Sequence, residues 1–227
     1  SDPTRPPLSV GLGSVAAVEK MVDQLADEDQ VDLLKAYEML TPEQFVRVME
    51  LAKEKGLKVT GHVPLSMDVI SASNAGLSSM EHLRNLEFSC ASNAEELLAN
   101  RRKMLAAGVD DEGGVLRSRI HQAQRREAIE KNDETKTQEV LAVLAKNQTW
   151  QIPTLTLMNN LSQRLFTRPD WQSSFNYLPD SIANGWRKRS QALLEQEVPA
   201  SSKTYANFML EMTGKVHEAG IGIMAGT

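Results

Sequence analysis

The feature that most constrains the fold is a regular alternation of short apolar segments with longer segments of helical periodicity. Apolar segments typical of β-strands occupy residues 31–37, 57–63 and 77–82. Between them, residues 41–55 and 67–74 carry apolar side chains at helical spacing, and the connections are only a few residues long. Parallel strands need a crossover connection, which is usually a helix. The sequence therefore predicts an α/β fold built on a parallel sheet.

Residues that cap helices mark the boundaries of these segments. Thr41 and Gln44 have the spacing of a capping box, and Pro42 suits the first helical position. Gly56 is expected to end that helix. Ser66 is expected to cap the helix over 67–74.

The rest of the chain is predicted to be mostly helical. A β-rich segment is expected over 148–157, and a last strand over 221–225. Helices are predicted over 14–27, 92–107, 115–145 with a break near Asn132–Asp133, and from a Ser201 or Ser202 cap to residue 219. Residues 158–200 are predicted to form a long loop with helical pieces around 181–196.

Composition gives no indication of nucleic acid, a membrane or a disulfide framework. The 227 residues carry a net charge of −5, which gives no reason to expect nucleic acid or an anionic membrane as a partner. No apolar run approaches the roughly 18 residues of a membrane span. Cys90 is the single cysteine, so no intrachain disulfide is expected, and the compartment is left undetermined. The chain begins with Ser1 and shows no signal peptide, from which we expect a processed or engineered fragment.

Three residues with chemical potential lie at the ends of successive predicted strands: Lys35, His62 and His82. The carboxyl ends of barrel strands are where functional side chains gather. Neutral imidazoles are common zinc ligands, and a lysine carboxylated by carbon dioxide is anionic and can bridge two metal ions. The alternatives are a lysine that extends to solvent and histidines that are hydrogen-bonded near the core. His121 and His217 are expected to face solvent or stabilise helix ends.

Five short segments occur in the order found in a known superfamily. They are Tyr37 with TPEQFVRVMELAKEKG, then GHVP, AGLSSMEHL, IPTLTL and HEAGIGIMAGT. In them the chain resembles the metal-dependent amidohydrolase superfamily, in its imidazolonepropionase and prolidase-like branch. The resemblance covers about residues 10–90 and 148–227, and it leaves 91–147 as a variable helical region.

This resemblance implies a partial (β/α)8 TIM-type barrel, with parallel strands four to eight and a helical insertion. It implies three ligands of a divalent metal ion, zinc: carboxylated Lys35 on strand four, His62 on strand five and His82 on strand six. In the complete enzyme the implied metal site is binuclear. The implied reaction is hydrolysis of a C–N bond in an amide, cyclic amide or dipeptide-like substrate. Tyr37 is expected either to contact the substrate or to pack at the rim of the site.

The superfamily also has a His-x-His pair on strand one and an aspartate directly after Ala-Gly-Thr on strand eight. Neither occurs in these 227 residues. We therefore expect the general-base aspartate just after Thr227, a single incomplete barrel domain over 1–227, and no hydrolysis by this chain alone.

Two rival hypotheses remain from the sequence. The first is a catalytically inactive partial barrel that acts only in folding or assembly. Its exposed strand edges are expected either to form a homo-oligomer or to be covered by the chain's own termini. The second is an open α/β sheet that binds a small molecule at a switch point.

Overall fold

A computed structural model describes residues 11–226 of the chain. Ser1 and Thr227, on which the fragment hypothesis depends, lie outside the described residues.

A parallel sheet of four strands forms the centre of the fold, in the spatial order β1-β2-β3-β4. The strands are β1 (Leu33–Ala36), β2 (Lys58–Gly61), β3 (Ser79–Glu81) and β4 (Trp150–Ile152). The predicted α/β class and the first three strands are thus confirmed, with each strand shorter than its apolar segment.

Helices account for most of the remaining described residues. The α-helices are α1 (Val15–Asp23), α2 (Pro42–Glu54), α3 (Val69–Asn74), α4 (Leu86–Ser89), α5 (Ala94–Ala107), α6 (Gly113–Glu130), α7 (Glu134–Lys146), α8 (Leu155–Gln163), α9 (Pro169–Gln172), α10 (Asp180–Leu194) and α11 (Ala200–Glu218). A π-helical segment, Gln24–Glu28, extends α1, and 3₁₀ turns cover Leu165–Thr167 and Ser173–Tyr177.

The start of α2 shows how local sequence fixes an element. The Thr41 hydroxyl accepts from the Gln44 amide at 3.2 Å, while the Gln44 side chain accepts from the Thr41 amide at 2.9 Å. This is the predicted capping box, with Pro42 at the first helical position. The helix then buries Phe45 and Met49 against the sheet layer.

One face of the sheet is covered by helices and the other is not. Leu34, Val59 and Met80 point into a core shared with α1, α2, α3, α7 and α11. On the opposite face, Leu33 remains 50% exposed and Trp150 45% exposed. Parallel sheets normally have both faces covered, so this second face is unusual for the class.

Two predicted strands differ from the structure. The segment 148–157 is β-structure only over β4, because Thr154 takes a left-handed φ of 48° and α8 begins at the next residue. The last strand expected over 221–225 is reduced to a single parallel bridge between Gln151 and Ile223. The described residues therefore hold four strands instead of five, and a closed barrel is not seen among them.

Two helix caps also differ from prediction. Asp68, rather than Ser66, caps α3 by accepting from the Ser71 amide at 2.8 Å. Helix α11 follows Pro199, two or three residues before the expected serine caps. The break expected near Asn132–Asp133 is confirmed, since α6 ends at Glu130 and Asp133 caps α7.

Helix α6 lies beside the carboxyl end of the sheet. Its Leu116 and Ile120 form a small apolar cluster with Leu65, which belongs to the loop that follows β2. The Leu65 amide in turn donates to the Glu38 carbonyl in the loop that follows β1. Part of the region 91–147 is therefore packed directly on the strand ends.

None of the helices among residues 11–226 combines the length and the apolar character needed to cross a membrane.

Gly61 allows the close approach of β1 and β2 at the strand ends. Its φ is +124°, and an added Cβ would overlap the carbonyl oxygen of Ala36, which also accepts from the His62 amide at 3.1 Å. Gly76 has a similar φ of +110°, but an added Cβ would meet open space.

We predict that Gly61→Ala lowers the free energy of unfolding more than Gly76→Ala does. Gly76→Ala, the control, introduces only backbone strain of about 1–3 kcal/mol. Gly61→Ala introduces similar strain and must also displace β1. Urea unfolding of both variants measures the difference, and equal losses would contradict the packing described for Gly61.

Candidate functional site

The carboxyl ends of β1, β2 and β3 bring four polar side chains together. Lys35 lies in β1, His62 directly follows β2, and Glu81 and His82 lie at the end of β3. Parallel pairing aligns these ends, with Lys35 opposite Thr60 and Thr60 opposite Ser79. The sheet thus places side chains distant in sequence at one edge, as the sequence predicted.

His62, Glu81 and His82 form a group that could hold a metal ion. One donor atom from each lies within 4.8 Å of the others. Glu81 Oε2 is 3.5 Å from His62 Nε2 and 3.7 Å from His82 Nε2, and the two imidazole rings meet edge to face at 5.1 Å. Two imidazoles and one carboxylate are a ligand set suited to zinc and similar divalent ions.

Glu81 was not among the residues predicted from the sequence. Its carboxylate accepts from Lys35 Nζ at 2.6 Å. The facing His62 imidazole lowers the pKa of Glu81 to about 2, since that contact and the Lys35 ion pair outweigh the opposing effect of burial. The sequence signal that could have identified Glu81 is its position directly before His82 at the end of a predicted strand.

Lys35 faces the site, as predicted, but it is paired with a carboxylate. Its side chain is 50% exposed, and the ammonium group bonds to Glu81. In this unmodified form a lysine cannot bind a cation, so its part in a metal site depends on carboxylation.

His62 has the strongest geometric case as a ligand. It is 2% exposed, and within residues 11–226 neither ring nitrogen has a hydrogen-bond partner. Buried polar atoms without partners are rare, because each costs about 1–3 kcal/mol of desolvation. Since Nε2 faces Glu81 and His82, a cation bound between these residues would satisfy it.

His82 is held in an unusual backbone conformation. Its φ is +62°, and Leu83 and Asn85 are also left-handed, so the chain turns sharply after β3. The His82 Nδ1 atom lies 2.5 Å from the Thr154 hydroxyl, and its backbone amide donates to Ile152 at 2.7 Å. These contacts orient Nε2 toward Glu81. Strained backbone of this kind often occurs at functional sites.

Tyr37 contacts the site through its ring. It stacks on the His62 imidazole with centroids 4.5 Å apart and an interplanar angle of 29°. The tyrosine therefore packs on a candidate ligand, and it is half-buried at the rim of the site.

A second polar cluster lies behind His62, and the sequence did not predict it. Glu38 is fully buried; its carboxylate lies 2.9 Å from His121 Nε2 and 3.0 Å from Arg117 Nη1. Burial alone would raise the pKa of Glu38, but the neighbouring His121 and His62, with Arg84, hold it well below its ordinary value. The other side of the carboxylate faces His62, with 3.6 Å between Oε2 and Nδ1.

Two polar residues of the helical region are buried, although the sequence predicted that His121 would face solvent or stabilise a helix end. His121 is 3% exposed and contacts Glu38. Arg101 is 2% exposed, donates to Gln124 and Asn85, and lies over the Phe88 ring at 3.4 Å. In each case a partner distant in sequence compensates the burial of a polar group, which helical periodicity does not reveal. His217, at the end of α11, is exposed as predicted.

No family model and no curated protein sequence matches this chain. Among solved structures, it is similar to bottromycin amidohydrolase, with a TM-score of 0.61 and 20% identity over 97% of this chain. A Xaa-Pro dipeptidase with methionine bound in its active site has a TM-score of 0.47 and 16% identity over 95% of the chain. Ochratoxinase from A. niger has a TM-score of 0.46 and 18% identity over 99%.

The chain spans 42%, 38% and 36% of the lengths of these three proteins, respectively. At this level of identity, the match to bottromycin amidohydrolase shows a shared fold over that stretch.

The pKa of His82 leads to a testable pH dependence for the metal-free chain. Burial, with the nearby charges of His62 and Arg84, lowers the pKa of His82 to about 4. In the unfolded chain a histidine has a pKa of about 6.5. As the pH falls between these values, the unfolded state takes up a proton that the native state does not, so the free energy of unfolding decreases.

We predict that His82→Gln flattens this decrease, because glutamine does not titrate. Urea unfolding of chelator-treated wild type and variant, at a series of pH values from about 7 to 4, gives the two slopes. The same decrease in both proteins would show that His82 is not desolvated in the native state.

Proposed function

We propose that this chain provides metal-binding side chains of a hydrolase that cleaves C–N bonds by metal-assisted attack of water. The observation that carries the proposal is the group formed by His62, Glu81 and His82 at the carboxyl edge of a parallel sheet. The fold shared with bottromycin amidohydrolase and the motif order in the sequence agree with it. Membership in the metal-dependent amidohydrolase superfamily belongs to the same proposal.

The residues present fit a divalent cation. His62 is buried, and both of its ring nitrogens lack a hydrogen-bond partner among residues 11–226. His82 is oriented by Thr154 with its other nitrogen toward Glu81. His62, His82 and either Glu81 or carboxylated Lys35 would hold zinc. Such an ion supplies Lewis-acid polarisation of a carbonyl and activation of water.

Carboxylation of Lys35 would reverse its charge beside Glu81. At present the ammonium compensates the carboxylate at 2.6 Å. A carboxylated lysine would place a second anion beside Glu81, which is unfavourable unless a cation lies between them. We therefore expect the modification to accompany metal binding and not to precede it.

The remaining residues of the site shape access to it. Tyr37 covers one face of the His62 ring and restricts water there. Its position at the rim suits contact with an amide, cyclic amide or dipeptide-like substrate, so the substrate-binding role expected from the sequence remains a proposal. We propose residues 1–227 as one incomplete barrel domain.

We predict that the chelator-treated chain binds zinc and that His62→Gln and His82→Gln each weaken binding by more than about 100-fold. We expect so large an effect because even substitution of residues that only support the metal ligands typically weakens metal binding by about 10–100-fold. Titration against a chromophoric chelator measures the affinity. His217→Gln, which alters an exposed histidine on α11, is the matched control.

Wild type that binds zinc no more tightly than the two site variants would overturn the metal site. For the reaction itself, the complete protein should hydrolyse an amide or dipeptide and lose this activity with chelator. An enzyme that keeps full activity after complete metal removal would contradict the proposed chemistry.

A second candidate function is assembly without chemistry, and the uncovered sheet face favours it. Leu33 and Trp150 lie exposed on that face, and β1 has β2 as its single partner strand among the described residues. An exposed strand edge and an apolar face both favour association. We propose a second copy of this chain as the occupant.

We predict a homo-oligomer in light scattering coupled to size-exclusion chromatography, and dissociation by Leu33→Lys. Val109→Lys, at a 63% exposed position outside the sheet, is the control. A monomer at all concentrations would reject the assembly hypothesis.

A further inference from the structure

Glu38 is a buried carboxylate that does not belong to the group of candidate metal ligands formed by His62, Glu81 and His82. It lies two residues past β1, where it is 1% exposed. Burying an unpaired carboxylate is strongly unfavourable, so the groups that compensate its charge must be part of the fold. The two side chains nearest to its carboxylate, Arg117 and His121, come from helix α6.

The two oxygens of Glu38 have different partners. Oε1 contacts His121 Nε2 at 2.9 Å, and Oε2 accepts from Arg117 at 3.0 Å. The same Oε2 lies 3.6 Å from His62 Nδ1. This last distance exceeds a hydrogen bond by a few tenths of an ångström, a gap that a small rotation of the ring would close.

His62 thus lies between two carboxylates, Glu38 on its Nδ1 side and Glu81 on its Nε2 side. The two are not equivalent. Glu81 already accepts from Lys35 at 2.6 Å and is partly exposed, whereas Glu38 is in the dry interior. An N–H group facing a carboxylate is stabilised more where water is excluded. The proton of a neutral His62 ring is therefore favoured on Nδ1.

We propose that Glu38 is a positioning residue that fixes the tautomer and the orientation of His62 and keeps Nε2 available to a cation. Helix α6 holds Glu38 in place through His121 and Arg117. The metal-binding part rests on the proposed function above; the tautomer part does not. Carboxylates that accept from the second nitrogen of a ligand histidine commonly raise its basicity and set its ring orientation.

The packing of α6 supports this assignment. Leu116 and Ile120 lie against Leu65, three residues after His62, and the Leu65 amide bonds to the Glu38 carbonyl. The loops after β1 and β2 and the helix α6 therefore form one unit behind the site. The helical region 91–147, which the sequence suggests is a variable insertion, contributes directly to the support of a candidate ligand.

Glu87 provides a matched control. It is also fully buried, and it also bonds to an arginine of α6, with 3.2 Å between Oε1 and Arg125 Nε. Glu87→Gln perturbs the docking of α6 by a change of the same kind as Glu38→Gln. Its contact is with Arg125 and not with His62.

The first measurement is nitrogen-15 NMR of the histidine rings in the metal-free chain. We expect the wild type to carry the His62 proton on Nδ1, Glu38→Gln to shift the population toward Nε2, and Glu87→Gln to leave it unchanged. If Glu38→Gln does not fold, Glu38→Asp keeps the charge but shortens the side chain, which withdraws the carboxylate from His62 Nδ1 and should cause a smaller shift in the same direction.

The second measurement is zinc affinity by competition with a chromophoric chelator. Glu38→Gln should weaken binding by about 10–100-fold, with no change for Glu87→Gln. A wild-type proton on Nε2, or equal tautomers and affinities in the two variants, would overturn the positioning role. A wild type that binds no zinc but shows the expected tautomer would instead overturn the proposed function and leave the role of Glu38 toward His62 supported.

Discussion

Parallel pairing of β1, β2 and β3 is the constraint on which the candidate site depends. The register that joins Ala36 to Gly61 and Gly61 to Met80 places the carboxyl ends of three strands side by side. His62 follows one of these ends, and Glu81 and His82 lie at the next. Gly61 permits the closest approach, because no other residue fits beside the Ala36 carbonyl. A shift of one residue in any pair would reverse the faces of the strand and separate the group.

The charges at this edge are balanced in two layers. In front, Lys35 compensates Glu81 where both have access to solvent. Behind, Arg117 compensates Glu38 in the interior, with His121 beside it. His62 lies between the layers, and its ring nitrogens face one carboxylate in each. Within the described part of the chain, the His62 imidazole makes no hydrogen bond and lies next to an anion. Such a site is unfavourable when empty and favourable for a bound cation.

The sequence predicted those parts of the fold and site that depend on local pattern. Strand ends, the capping box at Thr41 and the convergence of Lys35, His62 and His82 all follow from periodicity and spacing. It did not predict features that depend on contacts between distant segments. Glu38 and His121 are far apart in the chain, and each resembles a solvent-facing residue until the other compensates its burial. Likewise, the sequence predicted β-structure over 148–157, but the left-handed conformation of Thr154 ends the strand and a helix follows.

The central claim is that His62, Glu81 and His82 surround a divalent metal ion. X-ray absorption at the zinc edge, on the chain loaded with one equivalent of zinc, tests this most directly because it reports the atoms bonded to the ion. The account predicts scattering from two imidazole rings together with oxygen ligands, and the loss of one imidazole in His62→Gln. A spectrum with no imidazole contribution, or one unchanged by that substitution, would contradict it.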